Sequence, residues 1–326
     1  MMMNSSMKNR YKVDPGTIVK GKWHQNQYTV VRELGYGANG IVYLALFQGQ
    51  KVALKMSDNG MSITSEVNVL KSFAKVQGSI LGPSLIDTDD WIRRDCTISF
   101  YAMEYIEGPN LLTFIQQKGH SWAEILILQL LSDLQTLHEK GWVFGDLKPE
   151  NLIVTERPYR IRCIDVGGTT IIGRAIKEFT EFYDRGYWGL GSRKAEPSYD
   201  LFAVAMIFIN TEYPRRFEKT TGGIAQLQMM IKQKPATHKF EGILLKALQG
   251  KYQTAREMRA EILQMMSTYE KSGNTHDPHK VNQHTQRTTR NFNKGRKQKK
   301  NSWAETFLII MIISLLYILY IYGQVV

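Results

Sequence analysis

Apolar positions in the first third of the chain predict two strands and a helix. Residues 28–31 and 42–46 are short runs that alternate or are rich in β-branched and aromatic side chains, and a glycine-rich stretch separates them. The period then changes, because Ile63, Val67 and Leu70 recur at spacings of four and three. Such spacing places apolar side chains on one face of an α-helix, so a helix is predicted after the strands.

Helical spacing returns between Leu248 and Tyr269. Met258, Ile262, Met265 and Met266 lie one helical turn or less apart, and we interpret this methionine-rich stripe as core packing. It predicts the last helix of the globular part of the chain.

A long apolar run closes the sequence. Phe307 to Tyr322 contains Ser314 as its one non-aromatic polar residue, and the residues up to Val326 bring it to the length of a membrane span. A buried core helix is the alternative, but the run follows a polar linker and has nothing to pack on. We therefore predict a transmembrane helix over 303–326, with interface anchors at Trp303, Tyr317, Tyr320 and Tyr322.

Basic charge concentrates just before this run. The chain has a formal net charge of +12, of which residues 272–326 supply +6, from eight basic and two acidic residues. Residues 272–302 have few apolar side chains and predict a disordered linker. Basic residues beside a span face the cytoplasm, which places the globular part there. The run predicts contact with anionic lipid or with nucleic acid, through Lys280, Arg287, Arg290, Lys294, Arg296, Lys297, Lys299 and Lys300.

The length of 326 residues fits one two-lobed domain and something more. The start of the chain has no apolar region of the kind that a cleaved signal peptide needs. Cys96 and Cys163 have no metal-site or redox spacing, and two cysteines suit a reducing cytosol. The predicted organisation is a mobile segment over 1–20, a catalytic domain over 21–271, the basic linker over 272–302 and the span over 303–326.

The sequence FGDLKPEN at residues 144–151 carries the strongest chemical signal. Asp146, Lys148 and Asn151 share one tight loop, and an Asp-Val-Gly triplet begins at Asp165, 14 residues after the asparagine. Asp146 is predicted to orient a hydroxyl acceptor and take its proton, and Lys148 to neutralise a moving phosphoryl group. Asn151 and Asp165 offer hard oxygen ligands for Mg²⁺, which Mn²⁺ can replace. The string resembles the catalytic loop of Ser/Thr protein kinases, whereas a lone Asp-Leu-Lys would indicate a surface turn.

A glycine-rich loop lies between the two predicted strands. Gly35, Gly37, Gly40 and Val42 form a G-x-G-x-x-G-x-V string, and glycine lets a turn lie close on phosphates because no Cβ intrudes. A dinucleotide-binding fingerprint would need a helix after the third glycine. Here a strand follows, which favours the kinase interpretation and ATP as the nucleotide.

The remaining nucleotide-binding parts follow in kinase order. Lys55 ends a Val-Ala-Leu-Lys string and is predicted to contact the α and β phosphates. Glu66 is the only acidic residue between Asp58 and Ile80, and we expect it to fix the lysine from the predicted helix. Residues 101–108 resemble the kinase hinge. Its Met103 would lie behind the adenine, and the backbone from Glu104 to Ile106 would bind the adenine edge.

The activation segment both follows and departs from the kinase pattern. Thr180 lines up with the threonine that touches the catalytic aspartate and lysine, and Asp200 is expected to cap amides of the catalytic loop from a buried helix. The usual His-Arg before the catalytic aspartate is Phe144-Gly145, so an activation-segment phosphate lacks that cationic partner. The A-P-E triplet is also missing, and residues 180–188 occupy its place.

Three strings narrow the resemblance. ITSEVNVLKSF at 63–73, IRCIDVGGTT at 161–170 and TEFYDRGYW at 180–188 resemble the YabT-type kinases of spore-forming Bacillus relatives. The resemblance implies a membrane-anchored kinase that acts on protein Ser/Thr. It also implies that a basic segment binds DNA without sequence preference and raises activity, in sporulation or DNA damage. The basic segment matches in composition only.

The predicted fold class is α+β, a two-lobed protein kinase-like fold. It has an N-lobe with an antiparallel sheet and C helix, a mainly helical C-lobe and one C-terminal transmembrane helix. Expected partners are protein substrates, DNA, anionic lipid and a second copy of the chain. Three alternatives stay open. They are a small-molecule kinase of the aminoglycoside type, which shares the Gly-Asp-Leu string, a pseudokinase, and a DNA-binding scaffold without turnover.

Overall fold

The computed structural model describes residues 12–37, 40–74, 81–93, 96–213, 215–220 and 222–273. The first lobe is a six-stranded sheet in which neighbouring strands are antiparallel, in the order β1-β2-β3-β4-β6-β5. Its strands are β1 (Ile18–Lys20), β2 (Gln27–Gly37), β3 (Gly40–Phe47), β4 (Gln50–Ser57), β5 (Leu85–Arg93) and β6 (Cys96–Glu104).

The sheet and one helix bury the apolar positions that predicted them. Tyr28 and Val30 of β2 pack with Tyr43 of β3 in one apolar cluster, which explains the period of two. Helix α1 (Gly60–Ala74) buries the predicted stripe of Ile63, Val67 and Leu70 in a second, larger apolar cluster. This cluster continues into the other lobe. The two strands and the helix are confirmed, with longer bounds than the sequence predicted.

The second lobe is helical and is built around one buried helix. Every residue of α4 (Pro197–Asn210) from Tyr199 to Asn210 is buried, because α4 packs against α3 (Ser121–Glu139) and α7 (Glu241–Leu248). Of the predicted stripe in α8 (Ala255–Gly273), Met258 and Ile262 are fully buried, and Met265 and Met266 are partly buried against the same cluster. The helices are α2 (Leu111–Lys118), α3 (Ser121–Glu139), α4 (Pro197–Asn210), α5 (Gly223–Lys232), α6 (Pro235–His238), α7 (Glu241–Leu248) and α8 (Ala255–Gly273). The predicted sheet-plus-helix lobe and helical lobe are therefore both confirmed.

Two short strand pairs hold the loops that carry the predicted chemistry. Strand β8 (Leu152–Thr155) begins directly after Asn151, and it pairs with β9 (Arg160–Cys163), which ends two residues before Asp165. Strand β7 (Trp142–Val143) pairs with β10 (Thr170–Ile171). This pair places the residues just before the catalytic loop beside the start of the activation segment. Residues far apart in sequence are thus fixed beside each other by backbone hydrogen bonds.

The predicted mobile segment over 1–20 is wrong for residues 12–20. Val19 lies in β1 and is fully buried, and Val13 is 5% exposed, with its amide donating to the Tyr43 hydroxyl at 3.1 Å. The hairpin after β1 is closed by Asp89, whose carboxylate accepts from the amides of Trp23 and His24 at 2.9 and 2.7 Å. The sheet lobe therefore begins before residue 21.

The predicted basic linker and apolar run lie outside the described residues, apart from the last two residues of α8. None of the helices in the described ranges is long and apolar enough to cross a membrane. Since α8 ends at Gly273, the predicted linker start at residue 272 is two residues early, within the usual spread for a helix end.

Candidate active site

A cleft of about 620 Å³ is lined by all but three of the predicted site residues that the structure describes. Its walls come from β2, β3 and β4, from the segment after β6, and from the loops that carry Asp146 and Asp165. Thr180 and Asp200 lie outside its lining but contact the Asp146 loop directly, and Glu66 lies outside it against Lys55. The predicted DNA- or lipid-contacting residues lie outside the described ranges.

One end of the cleft suits a flat apolar ring. Val42 and Ala53 line it from the sheet, Ile153 lines it from β8, and Met103 closes it near the hinge. The amide of Ile106 donates to no described backbone carbonyl, so it can bind a ligand edge. The amide of Glu104 is different, because it donates to the Ser84 carbonyl at 2.9 Å and is not available to an adenine.

The Glu104 side chain holds the hinge through an arginine that the sequence analysis missed. Arg162 of β9 donates from Nη1 and Nη2 to the two Glu104 carboxylate oxygens at 2.5 and 2.9 Å, and Nη2 also reaches the Gly82 carbonyl at 2.6 Å. Burial raises the pKa of Glu104, but the bonds from Arg162 and from the Ser84 amide together outweigh this effect and hold that pKa below its ordinary value. This two-pronged ion pair ties the hinge to the second lobe.

A buried ion pair lies deeper in the cleft. Lys55 Nζ contacts Glu66 Oε2 at 2.6 Å, and the Tyr101 hydroxyl donates to the same oxygen at 2.7 Å. Burial lowers the pKa of Lys55, but the carboxylates of Asp165 and Glu66 outweigh burial and leave that pKa above its ordinary value. Lys55 therefore carries a fixed positive charge. Glu66 of α1 orients it, as the sequence predicted for a lysine that contacts phosphates.

The glycine-rich turn leaves room above this charge. Gly35 and Gly37 line the cleft, and a Cβ added to either would meet nothing within 4 Å. Gly40 has a different role, since its φ is +138° and an added Cβ would lie 2.3 Å from the Met56 carbonyl oxygen. The first two glycines fit an open phosphate-binding space, whereas the third is needed for the turn to pack on β4.

The catalytic loop presents a connected acid–base set. Lys148 donates to Asp146 Oδ2, and the Thr180 hydroxyl donates to Asp146 Oδ1 at 2.9 Å. Lys148 Nζ also lies 3.3 Å from Thr180 Oγ1. A carboxylate held by a cation and a hydroxyl is fixed in place to accept a proton from an incoming hydroxyl group.

The two predicted metal ligands face the same cleft. The Asn151 amide nitrogen donates to the Asp146 carbonyl at 3.3 Å, which turns the amide group toward the loop that it would serve. Asp165 Oδ1 accepts from the Gly167 amide at 3.0 Å and lies 3.9 Å from Lys55 Nζ, and its side chain is 44% exposed. An amide oxygen and an accessible carboxylate beside a phosphate-binding lysine fit Mg²⁺ bound to a nucleotide.

Asp200 holds the catalytic loop from α4. Its carboxylate accepts from the Phe144 and Gly145 amides at 2.8 and 2.9 Å, as predicted from the sequence, and from His138 Nε2 at 2.9 Å. His138, at the end of α3, was missed because its partner lies 62 residues away. With three donors, this fully buried carboxylate fixes the backbone that precedes Asp146.

Gly145 is required by the backbone of this loop. Its φ is +86°, and an added Cβ would lie 2.6 Å from the Gly168 carbonyl oxygen. Gly168 leaves equally little room, since its own Cβ would lie 2.9 Å from the Asp146 side chain. The backbones of the catalytic loop and the Asp165 loop therefore lie in contact. An arginine at position 145, as in the usual kinase pattern, would place its Cβ too close to the Gly168 carbonyl oxygen.

Local ion pairs stand where the A-P-E triplet would anchor the activation segment. Asp184 is fully buried and accepts from Arg193 Nε at 2.8 Å and from the Tyr199 hydroxyl at 2.9 Å. Burial raises the pKa of Asp184, but these bonds outweigh it and leave that pKa below its ordinary value. Arg185, also buried, contacts Glu196 at 2.6 Å. The lost contact is thus replaced within the segment.

Thr169→Val is expected to change kcat by less than about threefold, because Thr169 is fully buried and its hydroxyl has no hydrogen-bond partner among the described residues. Thr180→Val is the matched variant. It should lower kcat by about 10- to 100-fold, because its hydroxyl bonds Asp146. Steady-state kinetics with phosphosite mapping measures both. A tenfold gain in activity that tracks phosphate on Thr169 or Thr170 would contradict this account.

The site defines a phosphotransferase of the kinase type. It combines a nucleotide-sized cleft with the charged Lys55–Glu66 pair and the Asp146–Lys148–Thr180 set, between a sheet lobe and a helical lobe.

Comparison with known proteins gives the same class. The chain belongs to the protein kinase family, since the model of the protein kinase domain matches residues 28–292. The chain is 50% identical to the serine/threonine-protein kinase YabT of Bacillus subtilis (strain 168), over 98% of both chains. Membership of the serine/threonine kinase class is therefore confirmed.

More distant matches support the same fold. The chain is 30% identical to the serine/threonine-protein kinase pim-2 of Danio rerio, over 52% of this chain and 62% of that protein. The kinase domain of Mycobacterium tuberculosis PknI matches with a TM-score of 0.55 at 18% identity, covering 78% of this chain and 99% of that one. Vaccinia related kinase 3 matches with a TM-score of 0.58 at 15% identity, covering 81% and 94%.

Proposed function

We propose that this protein kinase transfers the γ-phosphoryl group of ATP to serine and threonine hydroxyls of proteins, from the cytoplasmic side of a membrane, and that DNA bound to its basic linker stimulates it. The single observation that carries the transferase part is the Asp146–Lys148–Thr180 set beside a charged Lys55. Their hydrogen bonds fix the Asp146 carboxylate in the cleft, where it can meet a hydroxyl acceptor.

The reaction assigns one task to each of these side chains. The acceptor oxygen forms a bond to the γ-phosphorus as the bond from that phosphorus to the ADP oxygen breaks, and Asp146 takes the hydroxyl proton. Lys148, which lies against both Asp146 and Thr180, stabilises negative charge on the group in transfer. Lys55 holds the phosphates that stay behind. Mg²⁺, held by Asn151 and Asp165, would neutralise the phosphate charge when bound.

The preference for protein acceptors has its own support. The Lys-Pro-Glu string after Asp146 and the buried Asp200 contacts distinguish the chain from small-molecule kinases of the aminoglycoside type. The 50% identity to a serine/threonine-protein kinase over nearly the full chain points the same way. A pseudokinase is disfavoured because the phosphate-binding, metal-binding and proton-accepting groups are all present in the cleft.

Membrane anchoring rests on the sequence. Phe307 to Tyr322 is apolar over a length that, with Gly323 to Val326, suits a span, and the eight basic residues of 280–300 precede it. The protein is therefore proposed to be single-pass, anchored at its C-terminal end, with the catalytic lobes in the cytoplasm. Sedimentation of the full chain with membranes, with resistance to alkaline carbonate washing, would test the anchor.

DNA is favoured over lipid as the stimulating partner of the linker. Glutamine and asparagine are interspersed among its basic residues, and the resemblance to YabT-type kinases covers the basic composition of this segment. Such a segment binds phosphates without reading sequence. Anionic lipid remains a second contact, because the same charges lie next to the proposed span. DNA that gathers several kinases on one strand would raise their local concentration.

Replacing all eight basic residues of 280–300 with glutamine should remove DNA stimulation of the full chain and leave basal phosphorylation intact. If about half of the eight meet phosphates, log affinity for DNA should fall with log salt with a slope of roughly −4. Stimulation should be bell-shaped, because excess DNA separates the molecules again. A variant that exchanges lysine and arginine at these positions is the control and should behave like wild type. Stimulation by anionic vesicles but not by DNA would assign the run to lipid.

A further inference from the structure

A tyrosine with no assigned task lies against the buried ion pair of the cleft. Tyr101 of β6 lies directly opposite Lys55 of β4 in the antiparallel pairing of these two strands. Side chains of directly opposed residues leave a sheet on the same face, so the tyrosine and the lysine extend side by side. Both reach Glu66 Oε2, the Lys55 Nζ at 2.6 Å and the Tyr101 hydroxyl at 2.7 Å. Two neighbouring strands thus hold one carboxylate oxygen of α1.

The two donors differ in what else they can bind. Lys55 lines the cleft where phosphates would lie, and its Nζ is also 3.9 Å from Asp165 Oδ1, so its charge is shared among several groups. A phenol has a single proton to donate, and that of Tyr101 goes to Glu66. Burial, and then the Glu66 carboxylate, raise the pKa of Tyr101 well above its ordinary value, so the phenol keeps this proton. The tyrosine can therefore hold Glu66 while Lys55 binds a phosphate.

The remaining bond of the Glu66 carboxylate does not tie it to the sheet. Its Oε1 accepts from Ser62 Oγ at 3.3 Å, but Ser62 belongs to α1 itself. In the part of the chain that the structure describes, the sheet therefore holds this carboxylate through Lys55 and Tyr101. Glu66 is 3% exposed and Tyr101 is 2% exposed, so water has little access to replace the phenol. Hydrogen bonds to a charged group are the stronger ones in proteins.

We propose that Tyr101 is a positioning residue for phosphoryl transfer, which fixes the Glu66 carboxylate and through it sets Lys55 for the phosphates of the nucleotide. The inference rests on the proposed function, because it takes ATP as the ligand of Lys55. Without the hydroxyl, Lys55 alone would hold Glu66 to the sheet. The lysine would then be drawn closer to that carboxylate and would bind phosphates less well, whereas the adenine end of the cleft would be unchanged.

A comparison of ATP with adenosine tests this role, because adenosine has no phosphates for Lys55 to bind. A non-hydrolysable ATP analogue with Mg²⁺ and, separately, adenosine are titrated into the full chain in detergent, for wild type and Tyr101→Phe. The substitution removes one hydroxyl and keeps the ring. Tyr101→Phe should weaken binding of the analogue about fivefold and change binding of adenosine by less than about twofold.

Tyr28→Phe is the matched control. Tyr28 is fully buried in the same sheet, and its hydroxyl donates to the Asp87 carboxylate, also at 2.7 Å, but it does not line the cleft. This variant should bind both ligands like wild type. An equal loss of analogue binding in the two variants would overturn the inference, because it would show a general weakening of the sheet lobe.

Two further results would also overturn the inference. One is unchanged binding of the analogue by Tyr101→Phe, and the other is an equal loss for the analogue and adenosine, which would assign the hydroxyl to the shape of the adenine end. Failure of the proposed function looks different. Wild-type protein that binds neither ligand, or that gains no affinity from the phosphates, would contradict the proposed function itself.

Discussion

Asp146→Asn should lower kcat for phosphoryl transfer by about a thousandfold while leaving nucleotide affinity and the fold nearly unchanged. The carboxylate is the only group within the Asp146–Lys148–Thr180 set that can take a proton from a hydroxyl acceptor. Asparagine has the same shape, so the two neighbouring contacts lose charge but not space. Single-turnover transfer from labelled ATP, with nucleotide binding measured in parallel, separates loss of chemistry from loss of binding.

Glu156→Gln provides the control for this experiment. Glu156 is exposed in the turn between β8 and β9 and lies outside the cleft, so its substitution should leave kcat unchanged. Lys55→Ala should also abolish transfer, but it is a less clear test. It would leave Glu66, which is 3% exposed, buried without its cation, and such a charge destabilises a fold. An Asp146→Asn protein that keeps a tenth or more of wild-type kcat would show that Asp146 is not the proton acceptor.

Asp200→Asn should reduce the free energy of unfolding by about 2–4 kcal/mol and lower kcat at least about tenfold. The carboxylate accepts three hydrogen bonds, from Phe144, Gly145 and His138, and it is fully buried. An asparagine has one acceptor oxygen, and its amide group would point donors at donors. Denaturant unfolding measures the stability, and kinetics at low temperature measure the folded fraction's activity.

Asp133→Asn is the matched substitution in the same lobe. Burial raises the pKa of Asp133 to about 6, with Arg160 and Arg162 opposing the rise, so its carboxylate is less stable in the folded protein than in the unfolded chain. Removing that charge should leave stability at pH 7 unchanged or slightly higher. Equal losses in the two variants would mean that the Asp200 effect reflects general sensitivity of the helical lobe, and not its role as an anchor of the catalytic loop.

The sequence predicted the parts of the site whose signals are local. Asp146, Lys148 and Asn151 lie within one string, and the glycine loop and Lys55 each sit in a short recognisable run. The order of these runs along the chain was enough to predict the two lobes, because each run belongs to a fixed element of the fold. The apolar period then located two of the six strands of the sheet lobe, β2 and β3, and α1.

Long-range contacts were missed for a physical reason. Arg162 pairs with Glu104 across 58 residues, and nothing in either local sequence indicates the partner. The first strand was missed because β1 has only three residues, of which Val19 alone is buried, and so it shows no apolar period. Glu178, an activation-segment residue that lines the cleft, was missed because one acidic residue in an irregular segment has no period or motif.

The departures from the kinase pattern form one consistent arrangement. Gly145 permits the close approach to Gly168, and the Asp184–Arg193 pair anchors the activation segment without the A-P-E glutamate. Thr180 already contacts Asp146, so the described segment reaches the catalytic loop without a phosphate. Control of activity would then come from whatever brings substrates or a second kinase to the site, which agrees with the proposed role of the basic linker.

The most direct test of the central claim is label transfer by the full wild-type chain. The protein is incubated with γ-labelled ATP and Mg²⁺, alone, with a generic protein acceptor and, separately, with an aminoglycoside. Acid hydrolysis then identifies the labelled residue. The account predicts label on serine or threonine of the chain itself or of the protein acceptor, and none with Asp146→Asn. No transfer to any protein, or transfer to the aminoglycoside alone, would contradict it.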